Sequence, residues 1–155
     1  MTEKTASFPP RGRSGMVDRL TPERRSWLMA RIRGKDTLPE RRTRSVAHAM
    51  GLRFRLHRRD LPGTPDLVLP KRRVALFVHG CFWHQHPGCR KARQPQTRPD
   101  YWAAKFQANA ERDVRTAAAL EARGWRVVIL WECETEDAEG LRRWLGERIG
   151  LPRAQ

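Results

Sequence analysis

Acid is in short supply in this sequence. Its 155 residues hold 17 Asp and Glu against 32 Lys and Arg, most of them Arg, for a net charge of +15. That deficit predicts a polyanionic partner, because each phosphate neutralised by a basic side chain releases condensed counterions. Long apolar runs are missing too. None approaches the ~20 residues that cross a bilayer, and no clean basic amphipathic helix with a bulky apolar face replaces one. Membrane is thereby disfavoured against nucleic acid. The first twenty residues have no apolar core, so no signal peptide is expected and the chain is read as cytoplasmic. Cysteine is scarce. Three cysteines in a reducing compartment point to metal rather than disulfides.

What remains is globular. Hydrophobic residues at 39% and charged residues at 32% are the composition of a folded domain, and the length suits one core. Residues 1–20 are polar and basic, and are read as a flexible arm that orders on DNA or simply keeps the chain soluble. Residues 21–150 form the domain, and 151–155 a tail.

Thr21-Pro22-Glu23 is a helix start, with a hydroxyl cap, proline in the first turn and an acid near the positive dipole end. It predicts a helix to about Ile32. Thr37-Leu38-Pro39-Glu40 repeats the signal as a capping box, for a helix that carries Val46, Ala47 and Met50 and stops at Gly51. Alternation at Leu52, Phe54 and Leu56 predicts a strand over 52–57. Two more strands follow at 66–69 and 73–78, and a buried one at 125–131. Between them, 100–123 reads as a helix with Trp102, Phe106, Ala110, Ala117 and Leu120 near one stripe. Leu141, Trp144, Leu145 and Ile149 mark a closing helix. The order α-α-β-β-β-α-β-α predicts a mixed three-layer α/β domain around a small sheet.

Residues 80–99 are too rich in Gly, Pro and Cys for regular structure, yet they hold the densest chemistry. Cys81, His86 and Cys89 form C-x4-H-x2-C, and Cys133 follows the strand at 125–131. Two adjacent strands would bring Cys81 and Cys133 to neighbouring ends, giving the four closed ligands of a structural Zn2+. Three ordinary buried cysteines are the alternative. Asp66 opens a strand whose hairpin partner ends at His79. A carboxylate there suits Mg2+ held by one acid and substrate phosphate, or it caps loop N–H groups. His79 and His84 remain once zinc has His86. An imidazole with a pKa near ~6.5 takes a proton from water at neutral pH, and Asp113 on the following helix can orient one of them. Phe82, Trp83 and Trp102, beside Arg90, Lys91, Arg93 and Arg98, have the makings of an apolar wedge for a duplex. Alternatively, Trp102 packs at its helix start and the Phe-Trp pair covers the zinc loop.

The stretch FVHGCFWHQHPGC ending at Cys89 resembles the signature of the very-short-patch repair (Vsr) DNA mismatch endonucleases. So do Leu61-Pro62-Gly63-Thr64-Pro65-Asp66, TRPDYW ending at Trp102, NAERD ending at Asp113 and GWRVVILWEC ending at Cys133. The likeness runs from about Arg19 to Ile149 in the same order. It implies a restriction-endonuclease-like core of the PD-(D/E)xK kind, a mixed sheet flanked by helices, with a structural zinc loop. It also implies Mg2+-dependent nicking on the 5′ side of the T in a T:G mismatch left by deamination of 5-methylcytosine.

On matching positions, Asp66 would be the Mg2+ carboxylate and the Val78 backbone carbonyl a second ligand. His84 would be the general base held by Asp113, with His79 a supporting imidazole and Glu40 acting through water near the metal. Cys81, His86, Cys89 and Cys133 would hold one Zn2+. Phe82, Trp83 and Trp102 would enter DNA from the major groove and Met29 from the minor groove. Val78 stands where Thr is usual and keeps only the carbonyl, and Gln85 stands where a third consecutive His is common. The ExK half of the wider pattern is absent, with Val78-His79 in its place. The resemblance implies a monomer acting on double-stranded DNA with a T:G mismatch in a bacterial, nucleoid-associated setting, without membrane and with other mismatch-repair proteins as candidate partners. Three rivals stay open: a restriction-type nuclease of the same fold, a zinc-stapled DNA-binding module without catalysis, and a basic RNA- or membrane-surface protein.

Overall fold

The hairpins and the single crossover decide how the sheet is assembled. The computed structural model describes residues 20–31 and 34–150. The expected arm up to Arg19, the tail over 151–155 and the side chain of Met29 lie outside the described residues. The elements are α1 (Pro22–Arg31), α2 (Leu38–Ala49), β1 (Arg55–Leu56), β2 (Leu67–Leu69), β3 (Val74–His79), α3 (Pro99–Glu121), β4 (Arg126–Trp131) and α4 (Ala138–Ile149). They follow in the expected order. A 3-10 turn at Pro70–Arg72, closed by Arg73 in the left-handed region, folds β3 back on β2. The strand order is β1-β2-β3-β4, with the first two pairs antiparallel. β4 lies parallel to β3 because α3 carries the chain back across the sheet between them.

Strand side chains alternate, so each face of the sheet gathers its own core. Leu67, Leu69, Leu76 and Leu130 face α2 and α4, where Ala47, Met50, Leu141 and Leu145 close over them. Val68, Ala75 and Trp125 take the other face with Leu120 of α3. The mixed three-layer arrangement is therefore present. No helix among the described residues is long and apolar enough to cross a membrane.

Three expectations shift in detail. The strand over 52–57 shrinks to Arg55–Leu56, both exposed. Leu52 is buried, but it closes α2: its N–H donates to the Ala47 carbonyl at 3.0 Å across Gly51. The buried stripe of α3 runs through Trp102, Phe106, Asn109 and Leu120, and Ala110 is exposed. Asn109 lies seven residues from Trp102, almost two full turns, and shares its direction, whereas Ala110 is turned a further ~100° away. β4 is only alternately buried, with Arg126 and Ile129 exposed, because it is the edge strand and α3 covers part of it.

This topology brings two chain ends to one rim. Asp66 enters β2 where β3 leaves the sheet, and His79 pairs with Trp131 at the ends of β3 and β4. The loop before Asp66 is pinned by Gly63. Its φ is +70°, and a Cβ there would lie 2.2 Å from Thr116 Cγ2 on α3. Gly88 has the same φ with nothing within 4 Å of its missing Cβ. Gly63→Ala should therefore lower the melting temperature by roughly 5–10 °C, and Gly88→Ala by about half that or less. Equal losses in thermal denaturation would contradict the close packing of this loop on α3.

Candidate active site

The shared rim opens into a cleft of about 880 Å³. Its walls include Glu40, Asp66, His79, His84 and Asp113, which come from α2, two strands, the loop after β3, and α3. The catalytic candidates read from sequence are thus brought together.

Asp66 Oδ2 accepts the Val78 N–H at 2.7 Å, so the side chain continues the β2–β3 ladder beyond its last backbone pair. Burial pushes its carboxyl up to about 6, against the pull of that hydrogen bond, and the nearby Glu40 charge adds to the rise. A carboxylate desolvated without a matching countercharge is a place prepared for a cation. One acid, a backbone carbonyl such as that of Val78 and phosphate oxygens are the ligand set Mg2+ accepts.

Beside it stand the two imidazoles. His84 Nδ1 lies 2.5 Å from Asp113 Oδ2. His79 stacks on the His84 ring with centroids 3.7 Å apart and planes 12° apart. Burial, and then the neighbouring His84, push the His79 imidazole down to about 4, so it stays neutral at physiological pH. With Nδ1 engaged by Asp113, the His84 Nε2 is left for water. These three residues are close enough to share a metal. Parallel stacked rings, however, aim their nitrogens along separate planes, which suits proton transfer better than one coordination centre.

The loop carrying His84 is shaped from behind. The ligand atoms of Cys81, His86, Cys89 and Cys133 all lie within 4.8 Å of one another. His86 Nδ1 is 3.7 Å from Cys81 Sγ and 3.4 Å from Cys133 Sγ. A tetrahedral zinc with bonds of about 2.0–2.3 Å separates its ligands by roughly 3.3–3.8 Å. The donor set fits. Burial pushes the Cys133 thiol up to about 12, with hydrogen bonding to Cys81 next, and burial raises Cys81 as well. Cys89 goes the other way, lowered first by the Lys91 backbone N–H. A divalent cation would let the buried sulfurs sit together as thiolates. The indole of Trp131 stacks on His86, with centroids 4.3 Å apart, and Glu132 Oε2 accepts the Cys81 N–H at 3.3 Å.

Phe82 and Trp83 project from the same turn, half-buried and edge to face with centroids 5.0 Å apart. Trp102 sits as in the packed alternative. It is 3% exposed and packs at its helix start against Phe82 and Phe106, so in this conformation it backs the pair. Asn109 Nδ2 donates to the Trp83 carbonyl at 2.9 Å and ties the turn to α3. Sequence reading gave Asn109 no role; a polar residue on an apolar helix stripe was the available signal. It also missed Arg44 and His57, which surround Glu40. The i,i+4 spacing of Glu40 and Arg44 was legible, but the approach of His57 depends on tertiary packing.

The sequence model for DNA mismatch endonuclease Vsr matches residues 17–91. The chain is 58% identical over 126 residues to the Type II nicking enzyme V.XorIIP of Xanthomonas oryzae pv. oryzae, covering 81% of this chain and 92% of that one. It is 43% identical over 117 residues to DNA mismatch endonuclease Vsr of Escherichia coli, covering 76% and 74%. Among solved structures it is similar to the catalytic domain of the homing endonuclease I-Bth0305I, with a TM-score of 0.50 at 20% identity over 72% of this chain and 93% of that one. That likeness bears on the fold alone, and it agrees with a restriction-endonuclease-like core. With 43% identity to the Escherichia coli Vsr endonuclease over about three quarters of each chain, the chain belongs to the Vsr family of DNA mismatch endonucleases.

Proposed function

We propose that this protein is a Mg2+-dependent endonuclease that nicks double-stranded DNA 5′ to the T of a T:G pair, initiating very short patch repair. The observation that carries the reading is one cleft holding a buried, cation-seeking Asp66 beside the hydrogen-bonded His84–Asp113 pair.

Asp66 and the Val78 carbonyl would hold the Mg2+. When bound, the ion polarises the phosphoryl group and stabilises the leaving oxygen. His84 Nε2 takes the proton from the attacking water. Asp113 keeps the ring turned toward that water and stabilises the imidazolium that forms. His79, neutral and stacked, fixes the plane of the His84 ring. Glu40, 4% exposed in the cleft wall, orients water near the metal.

Mismatch selectivity is assigned to the aromatic turn. Phe82 and Trp83 enter the stack beside the mismatch, with Trp102 as their backing and the third member of the wedge. Met29 is the matching residue on the minor-groove side. A T:G pair costs less to unstack than a matched pair, so insertion favours it. Zn2+ on Cys81, His86, Cys89 and Cys133 is structural and sets the shape of this turn. The net charge of +15 supplies affinity for the duplex. We place the enzyme in the cytoplasm with the nucleoid, as a monomer on DNA, with other repair proteins as candidate partners.

Asp66→Asn should lower nicking of a T:G duplex on the order of a thousandfold or more, with duplex binding retained. Burial raises the folded-state pKa of Asp66, so at neutral pH the ionised group opposes folding. The metal-free variant should therefore melt at the same temperature as the wild type or higher. Nicking at the wild-type rate would remove Asp66 from the mechanism. Elemental analysis should find about one zinc per chain, as a closed four-ligand site requires. Cys133→Ser should lower both zinc content and melting temperature. Freshly purified protein free of zinc would contradict the structural metal.

A further inference from the structure

The wall of the cleft around Glu40 contains a fixed cation of its own. Arg44, one turn further along α2, donates from Nη2 to Glu40 Oε2 at 3.0 Å. Its Nη1 donates to Asp36 Oδ1, and its Nη2 lies 2.8 Å from His57 Nε2. A guanidinium has no acceptor, so His57 Nε2 is the accepting atom in that contact. The Arg44 side chain is only 16% exposed. Glu40 is held from its other side as well, since Oε2 accepts the Asp36 N–H and Oε1 the Thr37 hydroxyl, each at 2.9 Å.

Asp36, Glu40 and His57 lie close enough together to hold a divalent ion. His57 Nε2 is 3.9 Å from the nearest carboxylate oxygen of each acid. Arg44 sits among all three, so a guanidinium stands where such an ion would go. Glu40 and Asp66 line the same cleft, so the charge that Arg44 offsets on Glu40 lies in the wall around Asp66. Without Arg44, the cleft would confront a metal with the full charge of Asp66 and Glu40.

We propose that Arg44 is a positioning residue of the nuclease centre, fixing Glu40 in the cleft wall and offsetting its charge so that divalent metal binds tightly only when DNA phosphate is present. This rests on the assignment of Asp66 as the metal carboxylate. Mg2+ is ordinarily held by one or two carboxylates together with substrate phosphate. With Glu40 neutralised by Arg44, the phosphate must supply the missing negative charge, and metal loading becomes coupled to substrate binding.

The probe is Mn2+, with free ion measured by electron paramagnetic resonance. The zinc-loaded full chain is titrated with and without a duplex carrying a non-hydrolysable phosphate at the nick site. Wild-type protein should bind Mn2+ weakly alone and more tightly with the duplex. Arg44→Gln should bind Mn2+ without DNA roughly tenfold more tightly, as expected for one unit charge a few ångströms from a divalent ion, and the gain from DNA should shrink. Arg44→Lys keeps the charge and should stay near wild type. Asp36→Asn, at an exposed position, should shift the DNA-free affinity the opposite way, about twofold or more weaker.

A purely structural Arg44 would let Glu40 drift when replaced, leaving Mn2+ affinity unchanged or lower in Arg44→Gln; either result overturns the proposal. Should Arg44→Gln fail to fold, Asp36→Asn decides, and unchanged or tighter Mn2+ binding overturns it. If wild-type protein binds no Mn2+ even with the duplex, the assignment of Asp66 falls and this proposal with it. Binding by the wild type without the Arg44 and Asp36 shifts sinks this proposal alone.

Discussion

The working end of the molecule hangs from the parallel pairing of β3 with β4, which sets His79 opposite Trp131. Two residues beyond each of that pair stand Cys81 and Cys133. The register therefore delivers the two halves of the sulfur–imidazole cluster to one point, although more than forty residues separate Cys89 from Cys133. A slip of one residue would turn Cys133 to the opposite face. Apolar packing fixes the register, since Leu76 and Leu130 must face α2 and α4 together. Core packing thus determines where the three cysteines and His86 meet. That cluster, the proposed zinc site, lies behind the turn that carries Phe82, Trp83 and His84.

A second constraint is the treatment of charge in a strongly basic chain. At the sheet end opposite the cleft, guanidinium groups are committed to helix C-termini. Arg72 donates to the Ile149 carbonyl at 3.1 Å, Arg126 to that of Arg148 and Arg73 to that of Arg123, both at 2.6 Å. Cations at those ends complement the helix dipoles. At the cleft the pattern reverses. Among the described residues, Asp66 is buried without a basic partner in hydrogen-bond contact, and Glu40 meets its cation in Arg44. The fold thus pairs one carboxylate with a cation and leaves the other, in our proposal, for an ion that arrives with the substrate.

Much of this was legible in the sequence because it is local. Helix starts at Thr21 and Thr37, the αL stop at Gly51 and the C-x4-H-x2-C spacing are determined by neighbours in the chain. The joint presence of five motifs in family order carried the assignment of chemistry. Legibility failed where tertiary packing decides. Leu52, Phe54 and Leu56 alternate as a strand does, yet Leu52 belongs to the end of a helix and Leu56 to an exposed edge. Sequence alone leaves Trp102 open between wedge and helix-start packing, and only the tertiary contacts with Phe82 and Phe106 show it packed in this conformation. Arg44 was one arginine among many. Its place between Glu40, Asp36 and His57 depends on His57, just past β1, meeting α2 in the tertiary fold.

We propose that the zinc-shaped turn couples mismatch opening to phosphodiester hydrolysis in one cleft. Two duplexes of identical flanking sequence, one T:G and the other T:A, with each strand separately end-labelled and incubated with enzyme and Mg2+, test it most directly. The account expects a single nick 5′ to the T of the T:G duplex, an intact opposite strand, and at least a hundredfold slower nicking of T:A. Equal cleavage of both duplexes, or cutting of both strands, would contradict it.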